Sequence, residues 1–337
     1  MKIAVPATTS NLASGFDVLG MALEIFLKVE IKDDSDSFKI KGCPKEYCNE
    51  DNLIVKGMKK IFERDDKNYW DKIKNRISIE ISSEIPIARG LGSSASCIAA
   101  GLIFANEYLF QKEKIKKLDS NQLVELGTEI EGHPDNISAA ILGSMTCSAL
   151  DKKNNKIYSQ KINISNEFLQ KFDFYLLIPD FEVKTEMARK LLPKKIEFND
   201  AVFNLSRLGL FFTSLINNDE NLFQVCFEDR LHQKYRSKLI FNYDEIIQYA
   251  KSCGAIATFI SGSGSSIVAI TKANILESKM FENNMYEDNM FGNKMYEDIR
   301  FENNMKEKLE FIKEKHNRIW QIKKVKINNE GAKIIEY

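Results

Sequence analysis

Between residues 76–82, which alternate polar and apolar side chains, and a run of small and apolar residues at 95–106 lies Pro86-Ile87-Ala88-Arg89-Gly90-Leu91-Gly92-Ser93-Ser94-Ala95-Ser96. Period-two alternation marks a half-buried strand and the second run suits a buried helix, so the segment reads as strand, loop and helix N-terminus. Two glycines two residues apart let the backbone come close to a ligand, and the serines after them sit where free helix amides and the helix dipole attract anions. Such a junction is built to hold a phosphate chain. It is not a P-loop of the Walker type, because no G-x-x-x-x-G-K-[ST] occurs. Taken alone, a Gly-Ser turn before a helix is also what an ordinary turn looks like, and the rest of the chain has to separate the two readings.

The 337 residues leave room for two domains. Residues 2–5 and 24–31 read as strands, with a polar, glycine-bearing loop at 8–15 between them, and 52–62 is an amphipathic segment. Ser120 is placed to cap a helix that leads directly into 129–136. The Lys- and Asn-rich stretch 151–168 is a domain boundary or a solvent-facing hairpin, which divides the chain into 1–160 and 161–337. Beyond it, 172–178 reads as a strand, 197–227 as mostly helix, and 255–260 with 267–270 as a hairpin around a glycine-serine turn. The fold class is therefore α+β. From 280 to 309 the chain repeats itself in three ten-residue units, MFENNMYEDN, MFGNKMYEDI and RFENNMKEKL. An apolar residue pair every five positions advances a net of about 140° around a helix, so it spirals instead of forming one stripe. The repeat reads as an exposed, partly helical or disordered insertion, with a Met-rich partner-binding surface as the alternative.

Lys plus Arg and Asp plus Glu each total 48, so bulk charge gives no reason to expect nucleic acid or a membrane surface as partner. No apolar run reaches the ~18 residues of a membrane span, and the first residues lack the apolar core of a secretory signal, which points to the cytoplasm. Cys43, Cys48, Cys97, Cys147, Cys226 and Cys253 are dispersed without a Cys-x-x-Cys and are expected to be reduced thiols. His133, His232 and His316 are too far apart to suggest a preformed zinc site.

Read as a whole, P-x-x-x-G-L-G-S-S-A resembles the ATP-binding signature of the GHMP kinases, a family named for its action on galactose, homoserine, mevalonate and phosphomevalonate. Ile260-Ser261-Gly262-Ser263-Gly264-Ser265-Ser266 is similar to the family's C-terminal glycine-rich turn, with Ser265 where a proline is usual. Four more segments resemble the branch that phosphorylates homoserine. They are the stretch at 6–20 containing Asn11 and Asp17, the run Glu131-Gly132-His133-Pro134-Asp135-Asn136, the run Lys184-Thr185-Glu186-Met187-Ala188-Arg189, and the run Leu231-His232-Gln233-Lys234-Tyr235-Arg236. The resemblance spans 5–332 apart from the repeat. It implies an N-terminal α/β nucleotide-binding domain and a C-terminal ferredoxin-like α+β domain, with ATP and Mg²⁺ as cofactors. The implied reaction phosphorylates the hydroxyl of L-homoserine to O-phospho-L-homoserine on the route to threonine, and a homodimer is left open. The alternatives are a kinase for another small alcohol of the mevalonate or shikimate type, and a nucleotide-binding sensor without turnover.

The resemblance also assigns residues. Asn11 and Asp17 would contact the amino acid, Arg189 and Arg236 would pair with its carboxylate, and Thr185, His133 and Gly262 would complete the substrate set. The nucleotide would lie along residues Pro86, Ile87, Ala88, Arg89, Gly90, Leu91, Gly92, Ser93, Ser94, Ala95 and Ser96, with Asn52 near the adenine. Arg89 would either add charge at the phosphates or point outwards. Ser94 and Glu129 are the implied Mg²⁺ ligands, with Glu125 and Glu131 as alternatives. Asn136, grouped with His133 at the reaction centre, stands where many kinases of this fold carry Asp. An amide cannot take a proton, which implies catalysis by positioning and charge stabilisation, with Asp135 as the rival base.

Overall fold

The computed structural model describes residues 1–64, 66–151, 153–154, 156–273 and 296–337. Two sheets organise them. The first grows from an antiparallel pair, β1 (Lys2–Ser10) and β2 (Leu19–Lys32). Leu23, Ile25, Leu27, Val29 and Ile31 alternate inward along β2 while Glu24 and Lys28 face solvent, so one face of this strand is wet. β1 is buried along nearly all its length, its polar end Thr8-Thr9-Ser10 included. β3 (Lys39–Lys41) runs parallel to β4 (Ser78–Ser83), and β4 pairs with the second half of β2. β5 (Met145–Asp151) pairs with the first residues of β2 and with β6 (Lys156–Lys161).

Helices α1 (Leu53–Phe62), α2 (Tyr69–Ile73), α3 (Ser93–Glu113), α4 (Ser120–Glu131) and α5 (Pro134–Leu142) belong to this half. α3 and α5 pack on β1, and α1 and α4 pack on α3. The cap of α4 is Asp119 and not Ser120. The Asp119 carboxylate accepts from the Gln122 amide at 2.9 Å while the Gln122 side chain accepts from the Asp119 N–H at 3.0 Å, a reciprocal capping box that Ser120 cannot form from one residue further on.

The second half contains α6 (Asn166–Leu169), β7 (Phe172–Pro179), α7 (Thr185–Lys190), α8 (Phe198–Asn217), α9 (Glu220–Val225), α10 (Gln233–Arg236), α11 (Tyr243–Ser252), β8 (Ala257–Ile260) and β9 (Ile267–Lys272). They are followed by α12 (Tyr296–His316), β10 (Trp320–Val325) and β11 (Lys333–Glu336). Strands run in the order β10-β7-β9-β8, antiparallel throughout. The sheets divide between Lys161 and Phe172, within or just after the polar stretch read as a boundary, which also supplies the β5–β6 hairpin. The chain does not divide once and for all, however. β11 returns to the first sheet and pairs with β1, Ile334 opposite Ile3, so the last residues are part of the N-terminal half.

The decapeptide repeat is only partly exposed. Residues 280–295 lie outside the described residues. In the third unit, Phe301, Met305 and Leu309, followed by Ile312, are buried with Tyr175, Ile267 and Trp320 on the second sheet. Intervals of four, four and three residues put these side chains on one helical stripe, which the five-residue alternation of the repeat conceals. Phe301→Ala should therefore cost about 3–5 kcal/mol in urea unfolding, whereas Phe311→Ala on the exposed side of the same helix should cost less than about 1 kcal/mol.

Candidate active site

The two halves meet around a cavity of about 820 Å³. One end of it is the N-terminus of α3. Gly92, the N-cap, has φ +67° and no capping side chain, so the first-turn amides of α3 are left for a ligand. A Cβ on Gly92 would run into the Thr8 hydroxyl, and one on Gly90, at φ +73°, into the Ser261 carbonyl. Only glycine fits a loop pressed this closely between β1 and the turn at 261–266. The Ser261 hydroxyl lies 2.6 Å from the Gly90 carbonyl and 2.8 Å from the Thr9 hydroxyl, while the Ser266 amide donates to the Arg89 carbonyl at 3.1 Å.

Not every residue of the phosphate segment faces the cavity. Pro86, Ile87, Ala88, Gly90, Leu91, Gly92, Ser93 and Ser94 line it. Ala95 and Ser96 are buried against the core, and the Ser96 hydroxyl donates to the Pro6 carbonyl at 2.9 Å. Arg89 reaches the cavity wall, but its guanidinium donates to the carbonyls of Pro179 (2.9 Å), Ile87 (3.0 Å) and Asp180 (2.8 Å) and pairs with Glu182 at 3.4 Å. Its guanidinium is held against the end of β7, the loop after it and the backbone of its own loop. Asn52 borders the cavity with its amide already engaged: it caps α1 through the Ile54 amide (2.9 Å) and donates to the Tyr47 carbonyl (2.8 Å).

Among the three glutamates left open by the sequence, geometry separates Glu131 from the others. Glu129 lies outside the cavity and pairs with Lys60 at 2.5 Å, because it points from the face of α4 that meets α1. Glu125 is not on the cavity wall. Glu131, at the end of α4, accepts from the Ser94 hydroxyl at 2.6 Å. Burial raises its pKa, an effect only partly offset by that hydrogen bond, and among the described residues it has no Lys or Arg within ion-pair distance. A half-buried carboxylate beside a hydroxyl and without a Lys or Arg partner among the described residues is an oxygen donor set suited to a hard divalent ion.

At the other end, Arg189 grips Asp17 through two bonds, 2.7 and 3.0 Å. Asn11 is engaged at both ends of its amide, donating to the Gly262 carbonyl at 2.8 Å and accepting from the Asp17 N–H at 3.0 Å, so it positions Asp17 and the C-terminal turn. Arg236 is buried, donates to the same Gly262 carbonyl at 2.8 Å and leaves its Nε without a partner. Burial, followed by the nearby Arg189 charge, pushes its pKa down to about 10. The ring of Phe16 supports both cations, with Arg236 at 5.0 Å and Arg189 at 5.9 Å, and is stacked on His232 at 5.2 Å. The Thr185 and Ser263 hydroxyls lie 3.3 Å apart on the cavity wall. Asn136 is oriented by two residues of β1, accepting from the Thr8 hydroxyl at 2.8 Å and donating to Ser10 at 3.0 Å.

The sequence reading missed Phe16, Thr8, Ser10 and His232. For Thr8 and Ser10 a signal was present, since three consecutive polar residues ending a buried strand must find partners inside the protein. Phe16 and His232 both lie inside the motifs that carry the resemblance, but their contact joins two distant segments and had no signal in the sequence.

The family model for the GHMP kinases N terminal domain matches residues 52–144, and that for GHMP kinases C terminal matches 211–286. The homoserine kinase of Clostridium beijerinckii is 41% identical over 270 residues, 80% of this chain and 86% of the relative. That of Clostridium botulinum (strain Alaska E43 / Type E3) is 38% identical over 284 residues, 84% and 89% of the two chains. A crystal structure of homoserine kinase from Cytophaga hutchinsonii shares the fold, with a TM-score of 0.73 at 24% identity over 99% of this chain and 97% of that one. A protein of two sheets that meet around a cavity, with an uncapped helix N-terminus opening on it, has the form of a small-molecule kinase, and this chain belongs to the GHMP kinase family. Within that family its sequence relatives are homoserine kinases.

His133 and Asp135 form a pair at 2.7 Å. Burial works against the imidazolium, but the Asp135 carboxylate raises its pKa overall. Burial also works against the Asp135 carboxylate, and His133 with the Asn136 amide lowers it overall. The histidine's contribution to stability is complete below its ordinary value of 6.5 and fades as pH rises through the raised folded value. The aspartate's is complete above its ordinary value of 3.8 and fades as pH falls through the lowered one. The pair therefore supports the fold most between 3.8 and 6.5. An NMR titration should place the wild-type His133 above 6.5 and bring it down in Asp135→Asn; a wild-type value below 6.5 would contradict the pairing.

Proposed function

We propose that this chain is a homoserine kinase that transfers the γ-phosphoryl group of ATP to the hydroxyl of L-homoserine, forming O-phospho-L-homoserine for threonine synthesis. The observation that carries the choice of a carboxylate-bearing acceptor is Arg236. It is a buried guanidinium on the cavity wall, and among the described residues no carboxylate pairs with it, in contrast to Arg189, which Asp17 neutralises. An unpaired buried cation is costly, and a substrate carboxylate removes that cost. A neutral alcohol would leave it in place. The Arg189–Asp17 pair beside it offers a donor and an acceptor, which suits the carboxylate and ammonium of one zwitterion.

The triphosphate lies against the α3 N-terminus and the turns at 90–92. The Ser94 hydroxyl and Glu131 would hold Mg²⁺, which would supply positive charge to offset the phosphate oxygens. The homoserine oxygen forms its bond to the γ-phosphorus as the β,γ-bridging bond breaks, ADP leaves with the electron pair, and the hydroxyl proton passes to phosphate or solvent. Asn136 has no basic atom, and Asp135 is held acidic by His133 and the Asn136 amide. These residues therefore align the hydroxyl and stabilise charge instead of serving as a general base. The cytoplasm is the compartment we propose for the reaction.

Purified protein with Mg-ATP should release ADP with homoserine well above the blank and above threonine, serine, mevalonate and shikimate. No turnover with homoserine would sink the assignment. Arg189→Ala should raise KM for homoserine by about 10–100-fold, the loss of a charged hydrogen bond, while KM for ATP changes little. Glu131→Gln should raise the Mg²⁺ concentration for half-maximal rate by about tenfold or more, and Glu129→Gln should not move it.

A further inference from the structure

The turn that carries the chain from β3 to α1 places two cysteines side by side. Cys43 and Cys48 are free thiols, and their sulfurs lie 3.5 Å apart, in van der Waals contact. The Cys48 thiol also reaches the carbonyls of Cys43 at 3.7 Å and Pro44 at 3.6 Å, so it is folded back over the start of its own turn. Both ends of the turn are anchored. Gly42, at φ +82°, is pressed against the Ile81 carbonyl of β4, and one turn of 3₁₀ helix at Lys45–Tyr47 leads to Asn52, whose side-chain amide holds the Tyr47 carbonyl at 2.8 Å. A short turn fixed at both ends keeps the two thiols together.

Nothing in the reaction uses these thiols, yet they stand at its edge. Cys43, Pro44 and Tyr47 line the cavity beside Asn52, and the Asn52 side-chain nitrogen is 4.0 Å from the Cys43 sulfur. Cys48 is exposed and lies off the cavity wall. One thiol therefore meets solvent and the other meets whatever fills the cavity.

We propose that Cys43 and Cys48 are a modification site, a dithiol that closes to a disulfide on reaction with a low-molecular-weight disulfide and thereby weakens nucleotide binding. The exposed Cys48 reacts first, its thiolate attacking one sulfur of the small disulfide and expelling the other half as a thiolate. Cys43 then gives up its proton and attacks the Cys48 sulfur, which breaks the mixed disulfide and expels the second half. Two protein S–H bonds and one small-molecule S–S bond become one protein S–S bond and two small-molecule S–H bonds, so no further oxidant is needed.

The surroundings assign the two roles. Burial, followed by the neighbouring Cys48 thiol, pushes the Cys43 pKa up to about 11, which makes Cys43 the resolving thiol and not the initiating one. Cys97 of α3 shares the cavity wall, but burial pushes it up to about 12 and keeps it out of the exchange. Closing the bond draws the Cys43 sulfur towards Cys48 and off the cavity wall, and the turn that carries Tyr47 either follows or pulls against Asn52. Both changes disturb the surface that a nucleotide meets. An exposed pair of this kind is labile and not structural, in keeping with the transient disulfides of reducing compartments. The effect on affinity rests on the reading of this end of the cavity as the nucleotide site, whereas the disulfide itself does not.

Treatment of the full chain with bis(2-hydroxyethyl) disulfide, followed by tryptic digestion without reductant and mass spectrometry, tests the site. Because Lys45 lies between the two cysteines, the closed form should yield peptides 42–45 and 46–56 joined, and dithiothreitol should part them. Calorimetry should give a Kd for Mg-ADP about fivefold or more higher in the oxidised chain than in the reduced one. Cys48→Ser should bind Mg-ADP like the reduced wild type both before and after treatment. A wild type that forms no bond between Cys43 and Cys48, or that joins Cys43 to Cys97, would overturn the proposal, and so would a disulfide that leaves the Kd unchanged. Failure of the reduced chain to phosphorylate homoserine would count against the acceptor assignment alone, since neither readout depends on turnover.

Discussion

The carbonyl of Gly262 accepts one hydrogen bond from the Asn11 amide and another from the Arg236 guanidinium, both at 2.8 Å, and this shared acceptor ties the two halves of the chain together at the substrate end of the cavity. Asn11 follows the last strand residue of β1, and its other end holds the Asp17 amide. Arg236 comes from the second half. The neighbouring contacts extend the same junction, since the Gly262 amide donates to the Ser10 carbonyl at 3.2 Å and Ser261 reaches Gly90 and Thr9. The phosphate loop and the substrate cations are thus fixed by one seam, and a shift of either half would displace both ends of the cavity.

Charge is distributed along the cavity to match a reaction between a polyanionic donor and a zwitterionic, carboxylate-bearing acceptor. Arg189 is matched by Asp17, Arg236 is unmatched and buried, and Glu131 is a half-buried carboxylate with no Lys or Arg paired to it among the described residues. Each unmatched group is costly in the empty cavity and is relieved by a ligand of opposite charge. Phe16, between His232 and the two guanidinium groups, supplies the apolar floor that keeps the cations close without a second carboxylate.

Much of this arrangement was legible in the chain because it is local. The strand, loop and helix N-terminus around Gly90 and Gly92 depend on residues adjacent in sequence, and so do the inward alternation of β2 and the strands of the second sheet. Which carboxylate faces the cavity was not legible, because Glu125, Glu129 and Glu131 lie on one helix and differ only in which neighbour each meets: Glu129 meets Lys60 of α1 and Glu131 meets Ser94 of α3. The role of Arg89 was hidden for the same reason, its partners lying beyond β7. In the repeat, the five-residue rhythm masked a helical stripe that becomes visible once Phe301 and Met305 are seen against the second sheet.

By itself the sequence determined the class of chemistry: a glycine-serine turn before a helix for phosphate, and paired arginine-bearing motifs for a small carboxylate-bearing acceptor. Those features rest on backbone geometry and on the fixed charge of guanidinium, which residue identity sets. Only the tertiary structure decided which groups remain free to act. Asn11, Asn52 and Arg89 have their hydrogen-bonding groups engaged by the protein, whereas Arg236 and Glu131 are left without a countercharge. Whether a polar group is satisfied depends on what packs against it, and that is a property of contacts between segments far apart in the chain.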